Sequence, residues 1–228
     1  MRQFFIERPS KLEYWRIGDR PRWLVHSGMH GDEHGVIEPL RRVLERREAE
    51  LPDLVWVPAA SPSAVAARQR VNAAGLDLNR AFAAEPANAE AKALLAAMDG
   101  RVFDLFVSFH EDPTTDRFYL YDEAQDASGT PELAGLFAKV KSLGVRLYEG
   151  LDDPEDPVLG NVVDNGYFSG LWRPPRSGGP AADGTIEGYL ARHGLARRIL
   201  TPEVPTLVPA ATKEAIVDAV IDYLLTLK

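Results

Sequence analysis

This 228-residue chain has five histidines and no cysteine, which confines any metal site to imidazole and carboxylate ligands. The richest grouping is Ser27-Gly28-Met29-His30-Gly31-Asp32-Glu33-His34-Gly35. His30 and Glu33 stand three apart on a turn that follows an extended apolar run and enters a helical one, so both can point at one centre. A third ligand from elsewhere would complete a catalytic zinc site, with one position open for water. His110 is the natural third ligand. It ends the strand-like run Leu105 to Phe109, and the C-terminal edge of an open α/β sheet is where ligands bind.

The same segment also fits the inverted pattern His-x-x-Glu-His, in which His30 and His34 are ligands on one helix and Glu33 is the base. Context disfavours it. Gly28, Gly31 and Gly35 would each cost a continuous helix about 1 kcal/mol relative to alanine. Each residue taken singly also has an ordinary reading: a strand-end histidine is usually just hydrogen-bonded, and the glycines could merely shape a turn. His34 is then a first-turn or supporting residue, while His26 within a strand and His193 before Gly194 look structural.

The elements that must position these residues alternate along the chain. Residues 23–26, 54–57, 105–109, 118–121 and 198–201 are short apolar runs rich in β-branched and aromatic side chains, as expected for buried strands. Helices are expected at four places. Thr130-Pro131 opens a run with Leu133, Leu136, Phe137 and Val140 at helical spacing, closed by Gly144. Ile216, Val217, Val220, Ile221 and Leu224 form one stripe near the end of the chain. Val36 to Leu44 forms another, starting or kinking near Glu38-Pro39. The alanine-rich stretch from Pro86 to Asp99, before Gly100, is the fourth. Residues 150–184, dense in Pro, Gly, Asp and Asn, read as one long loop, either a binding lid or a mobile insertion.

Strands alternating with helices predict a single α/β domain over residues 1–228, a three-layer α/β/α sandwich with a mostly parallel, mixed central sheet. The net charge of −8 argues against a nucleic-acid or membrane-surface role, either of which would want a basic face. No apolar run approaches the roughly 18 residues of a membrane span, and the first residues lack a secretory pattern. A soluble, cytoplasmic protein is expected.

Asp77-Leu78-Asn79-Arg80 lies between the two halves of the proposed site. In chain order, His30-Gly31-Asp32-Glu33, an arginine upstream of the next motif, Asp77-Leu78-Asn79-Arg80, His110 and Glu203 in Thr201-Pro202-Glu203-Val204-Pro205-Thr206 together resemble the zinc carboxypeptidase superfamily. The likeness extends to its smaller branch, related to succinylglutamate desuccinylase and aspartoacylase. Each motif is short; their order is what makes the resemblance specific.

The resemblance implies one Zn2+ per chain on His30, Glu33 and His110, with Asp77 supporting His30. It implies that Asn79 and Arg80 bind a substrate carboxylate, for which a guanidinium fork is suited. It makes Glu203 the general base and Arg70, with Arg68 as alternative, the group facing the scissile carbonyl. Tyr167 is the candidate for a mobile tyrosine that longer members carry near the substrate. The expected substrate is a small carboxylate-bearing peptide, cleaved by a metallocarboxypeptidase, or alternatively an N-acyl amino acid, deacylated. The sequence does not choose between them. A metallophosphoesterase would need bridging aspartates at spacings that are missing here. A binding module without turnover is opposed by the presence of both ligands and base.

Overall fold

The computed structural model describes residues 1–83, 85–123, 126–152, 160–170 and 184–227. In chain order the elements are β1 (Arg2–Ile6), β2 (Leu12–Ile17), β3 (Trp23–Ser27), α1 (Ile37–Arg46), β4 (Leu54–Val57), α2 (Pro62–Ala67), α3 (Ala89–Met98), β5 (Phe103–Asp112) and β6 (Arg117–Asp122). They continue with α4 (Pro131–Ser142), β7 (Arg146–Leu147), β8 (Gly150–Leu151), β9 (Val162–Val163), β10 (Tyr167–Ser169), α5 (Ile186–Arg192), β11 (Ala196–Pro205) and α6 (Ala210–Thr226).

The main sheet runs β1-β2-β4-β3-β5-β11-β6-β10, with β7 paired to β6. It is mixed, as expected. β4, β3, β5 and β11 are parallel neighbours, whereas β1–β2, β2–β4 and β11–β6 are antiparallel. β3 and β4 are buried along their whole length, which is why residues 23–25 and 54–57 read as unbroken apolar runs. One face packs under α1, α4 and α6 through Leu40, Val43, Leu136, Val140, Val217 and Val220. The other packs under α3 and α5 through Leu94, Met98, Ile186 and Leu190. These layers make the three-layer α/β/α architecture.

Helix starts follow their caps. Thr130 accepts a hydrogen bond from the Leu133 amide at 3.4 Å, and Asn88 accepts from the amides of Glu90 and Ala91 at 2.8 and 3.3 Å. The third helix therefore begins at Ala89, not at Pro86. Pro39 sits in the first turn of α1, where its missing N–H costs nothing.

Other departures have physical reasons. The hairpin of β1 and β2 is half exposed, so its alternation is too weak to announce two strands. β5 and β11 run past their expected ends to Asp112 and Pro205, so that Glu203 lies within a strand instead of following one. Proline keeps an extended φ, and Pro202 removes only one ladder donor. Residues 150–184 are not one continuous loop, because β8 to β10 fall inside them; residues 153–159 and 171–183 lie outside the described residues. Among the described residues no helix is long and apolar enough to cross a membrane.

Candidate metal centre

β3 and β5 are parallel neighbours with Ser27 opposite Phe109, so the turn leaving β3 is delivered directly over His110. Two glycines make that turn possible. Gly28 has φ +61°, and a Cβ there would lie 2.9 Å from Val65 Cγ2 and 3.0 Å from the Pro58 carbonyl oxygen. A Cβ on Gly31 would sit 1.8 Å from the Ala64 carbonyl oxygen. Gly31 N–H instead donates to the Gln69 carbonyl at 2.9 Å, which docks the segment carrying Arg70 beside the turn.

His30 Nδ1 lies 2.6 Å from Glu33 Oε1, and His110 Nδ1 lies 2.7 Å from Glu33 Oε2. All three side chains are buried. One ligand atom from each falls in a group spanning no more than 4.8 Å. His30 Nε2 is taken by Asp77 Oδ1 at 3.0 Å, so Nδ1 is the nitrogen left to face inward. Two imidazole nitrogens and a carboxylate converging on one point, with the outer nitrogen of one ring held by a second carboxylate, fit a divalent metal ion with His₂Glu ligation. His34 is not in this group; its Nδ1 contacts the Gly31 carbonyl at 2.9 Å.

The electrostatics follow from the same contacts. Burial lowers His30, but Glu33 and Asp77 outweigh it and raise the ring to about 9. His110 is likewise raised: burial opposes, and Glu33 and Glu203 prevail. Burial would raise Glu33, yet the two histidines hold it far below the usual carboxylate range. Asp77 falls to about 2, His30 and Arg70 outweighing its burial. His26, wholly enclosed, is kept neutral by burial first and by the neighbouring histidines second.

Glu203 is the Cα partner of His110 across β11 and β5, and of Tyr119 across β11 and β6. Loss of water raises its carboxyl to about 8; His110 opposes, while Glu33, Asp112 and Glu187 add. A group near neutrality can both take and return a proton. Arg70 reaches the same place from the other side, with one guanidinium nitrogen 3.0 Å from Asp77 Oδ2 and another 3.8 Å from Glu33 Oε1. Its side chain is half exposed, at the mouth. Arg68, with φ +53°, caps α2 instead.

Asn79 follows Asp77 in the short helical turn Leu78–Arg80. Its Oδ1 accepts from the Ile186 amide at 2.9 Å and its Nδ2 donates to Glu187 at 3.3 Å. Arg80 donates to the Asn79 carbonyl at 2.9 Å and adds its field to Asp77. The structure thus brings His30, Glu33, Arg70, Asp77, His110 and Glu203 together, with Asn79 and Arg80 adjoining. Tyr167 is not brought to this group: it packs in the core on the opposite face of the sheet, donates to Asp122 at 3.1 Å and accepts from the Ala127 amide at 2.8 Å. Its place on β10 turns the ring to that face. Sequence reasoning missed Glu187 and Tyr119, because neither has a spacing relation to the motifs; only the α5 contact and the β11–β6 register bring them near.

A family model for the succinylglutamate desuccinylase/aspartoacylase catalytic domain matches residues 19–158, more than half the chain. None of the curated proteins compared matches it. Among solved structures, a protein from Shewanella baltica OS155 with a provisional metallopeptidase assignment superposes with TM-score 0.74 at 20% identity, over 99% of this chain and 86% of that one. A metallo-carboxypeptidase from Pseudomonas aeruginosa, in complex with (2-guanidinoethylmercapto)succinic acid, gives 0.59 at 21% identity, over 95% of this chain and 60% of that one. A succinylglutamate desuccinylase from Silicibacter sp. TM1040 gives 0.57 at 16% identity, over 95% and 60%. At these identities the likeness establishes the fold. Fold, ordered motifs and family match agree: the chain belongs to the family of succinylglutamate desuccinylase/aspartoacylase catalytic domains.

Proposed function

We propose that this protein is a zinc-dependent hydrolase that cuts an amide bond close to a carboxylate in a small substrate. The observation that carries the reading is the placing of Glu203, a carboxyl tuned toward neutrality, in register beside His110 of the His30-Glu33-His110 group. His30, Glu33 and His110 hold the ion, and Asp77 fixes the tautomer of His30. When bound, zinc supplies Lewis-acid polarisation of a carbonyl oxygen and makes water a nucleophile at neutral pH.

Glu203 takes the proton of the water that attacks the carbonyl carbon and returns it to the leaving nitrogen as the C–N bond breaks. Arg70 at the mouth faces the charge that develops on the carbonyl oxygen. Arg80, with Asn79 beside it, holds the substrate carboxylate and so sets which bond lies over Glu203. The family match favours an N-acyl amino acid as substrate. The metallo-carboxypeptidase likeness keeps cleavage of a short peptide as the second reading.

The test is a mass-spectrometric screen of the zinc-loaded protein against N-acyl amino acids, short peptides and phosphate esters, with each hit repeated as its carboxamide. Turnover of a carboxylate-bearing amide, strongly weakened when the carboxylate is blocked, is expected. Phosphate-ester cleavage alone would overturn the reading. Stoichiometric zinc without turnover of any amide would favour a binding module, and indifference to blocking would remove Asn79 and Arg80 from the site.

A further inference from the structure

Beneath the proposed metal centre the sheet carries a row of polar side chains among apolar ones. His26 of β3 and Ser108 of β5 are opposite each other in register. Leu200 pairs with Val107 and Glu203 with His110, which sets Thr201 of β11 beside Ser108. All three share the face that carries His110, because Leu24, Phe106 and Ile199, two residues before each, lie together in the core under α3 and α5. His26 and Ser108 are 0% exposed and Thr201 7%. Both ring nitrogens of His26, Ser108 Oγ, Thr201 Oγ1 and His110 Nε2 are enclosed and find no hydrogen-bond partner among the described protein groups.

Each such orphan costs about 1–3 kcal/mol, so several in one patch of a folded protein call for a partner. The rings of His26 and His110 are edge-on with centroids 6.5 Å apart, too far for a direct bond between them and suited to one bridging water. An internal water needs two to four polar partners, and this row offers enough of them.

We infer that His26, Ser108 and Thr201 form a binding site for one internal water that holds the outer nitrogen of His110. This rests on the metal centre proposed above. With a metal ion held at Nδ1 of His110, Nε2 carries the proton and donates it to the water. The water donates to a ring nitrogen of His26 and to Ser108 Oγ, and the Thr201 hydroxyl donates to its remaining lone pair. As Asp77 does for His30, the water fixes the plane of the His110 ring by holding its outer nitrogen. His26, Ser108 and Thr201 are positioning residues; none touches the reacting atoms.

Zinc affinity measured by chelator competition tests this without reference to turnover. His26→Leu is expected to weaken zinc binding about 10- to 100-fold, and Ser108→Ala about 3- to 10-fold. The metal-free variants should melt close to the parent, since each loses one bond to a water that its remaining partners still hold. His26→Gln, which restores a polar atom, should recover most of the affinity. If His26→Leu does not fold, Ser108→Ala decides alone. Affinity within about twofold of the parent in the folded variants, a stability loss of the metal-free protein that parallels the affinity loss, or a dry row in a high-resolution crystal structure would overturn the inference. A parent that binds no zinc would overturn the metal centre as well, whereas a parent that binds zinc beside indifferent variants would overturn this inference alone.

Discussion

Glu33 meets two histidines at 2.6 and 2.7 Å, and both belong to the ligand group that leaves His34 out. The two ways of reading His30-x-x-Glu33-His34 therefore separate in a single experiment. His110→Ala is expected to lose zinc by several orders of magnitude in a chelator competition, while His34→Ala keeps it; the reverse would restore the inverted motif. Glu203→Gln removes the proton acceptor without changing size, so metal content should be kept and kcat should fall by about 10²- to 10⁴-fold with KM little altered. Near-parental kcat in that variant would exclude Glu203 as the base. At this scale the sequence was legible where chemistry depends on spacing, as for His30 and Glu33. It was not for Tyr167, whose side chain goes to the face that β10 dictates.

At the level of elements, the centre is built on three adjacent strands, with β3 supplying the turn and β5 and β11 supplying His110 and Glu203. A helix reinforces it from below: Lys213 of α6 pairs with Glu111 of β5, and Glu111 also accepts from the Val36 amide at 2.9 Å. Both charges are buried. Lys213→Met should leave Glu111 unpaired in the interior and cost about 3–5 kcal/mol of unfolding free energy, read by denaturant titration. A loss under about 1 kcal/mol would show that water reaches the pair. Gly31→Ala tests the packing of the turn, because its Cβ would meet the Ala64 carbonyl. A destabilisation of about 1–3 kcal/mol and weaker zinc binding are expected as the turn and the Arg70 segment are pushed apart. Unchanged melting and affinity would show that the two segments separate freely. The helices were largely legible from caps and apolar stripes, which are local. The extents of β5 and β11 were not, since cross-strand pairing carries both through polar and proline residues.

For the whole molecule, a metal bound only by the folded chain stabilises it through mass action, by about 4 kcal/mol at a free concentration a thousand times Kd. Removing zinc with a chelator should lower Tm measurably in the parent and leave His110→Ala unmoved. An equal shift in both would place the stabilising ion elsewhere. By itself the sequence determined the α/β class, the amphipathic helices and the His-x-x-Glu turn, because each is encoded in residues near one another along the chain. Only the tertiary structure decided which nitrogen of His30 faces inward, that Glu203 stands beside His110, and that Glu187 contacts Asn79. These depend on strand order and register, which bring together side chains as much as 108 positions apart. Burial then tunes their protonation by withdrawing water, and it exists only once the sheet and its two helical layers have closed.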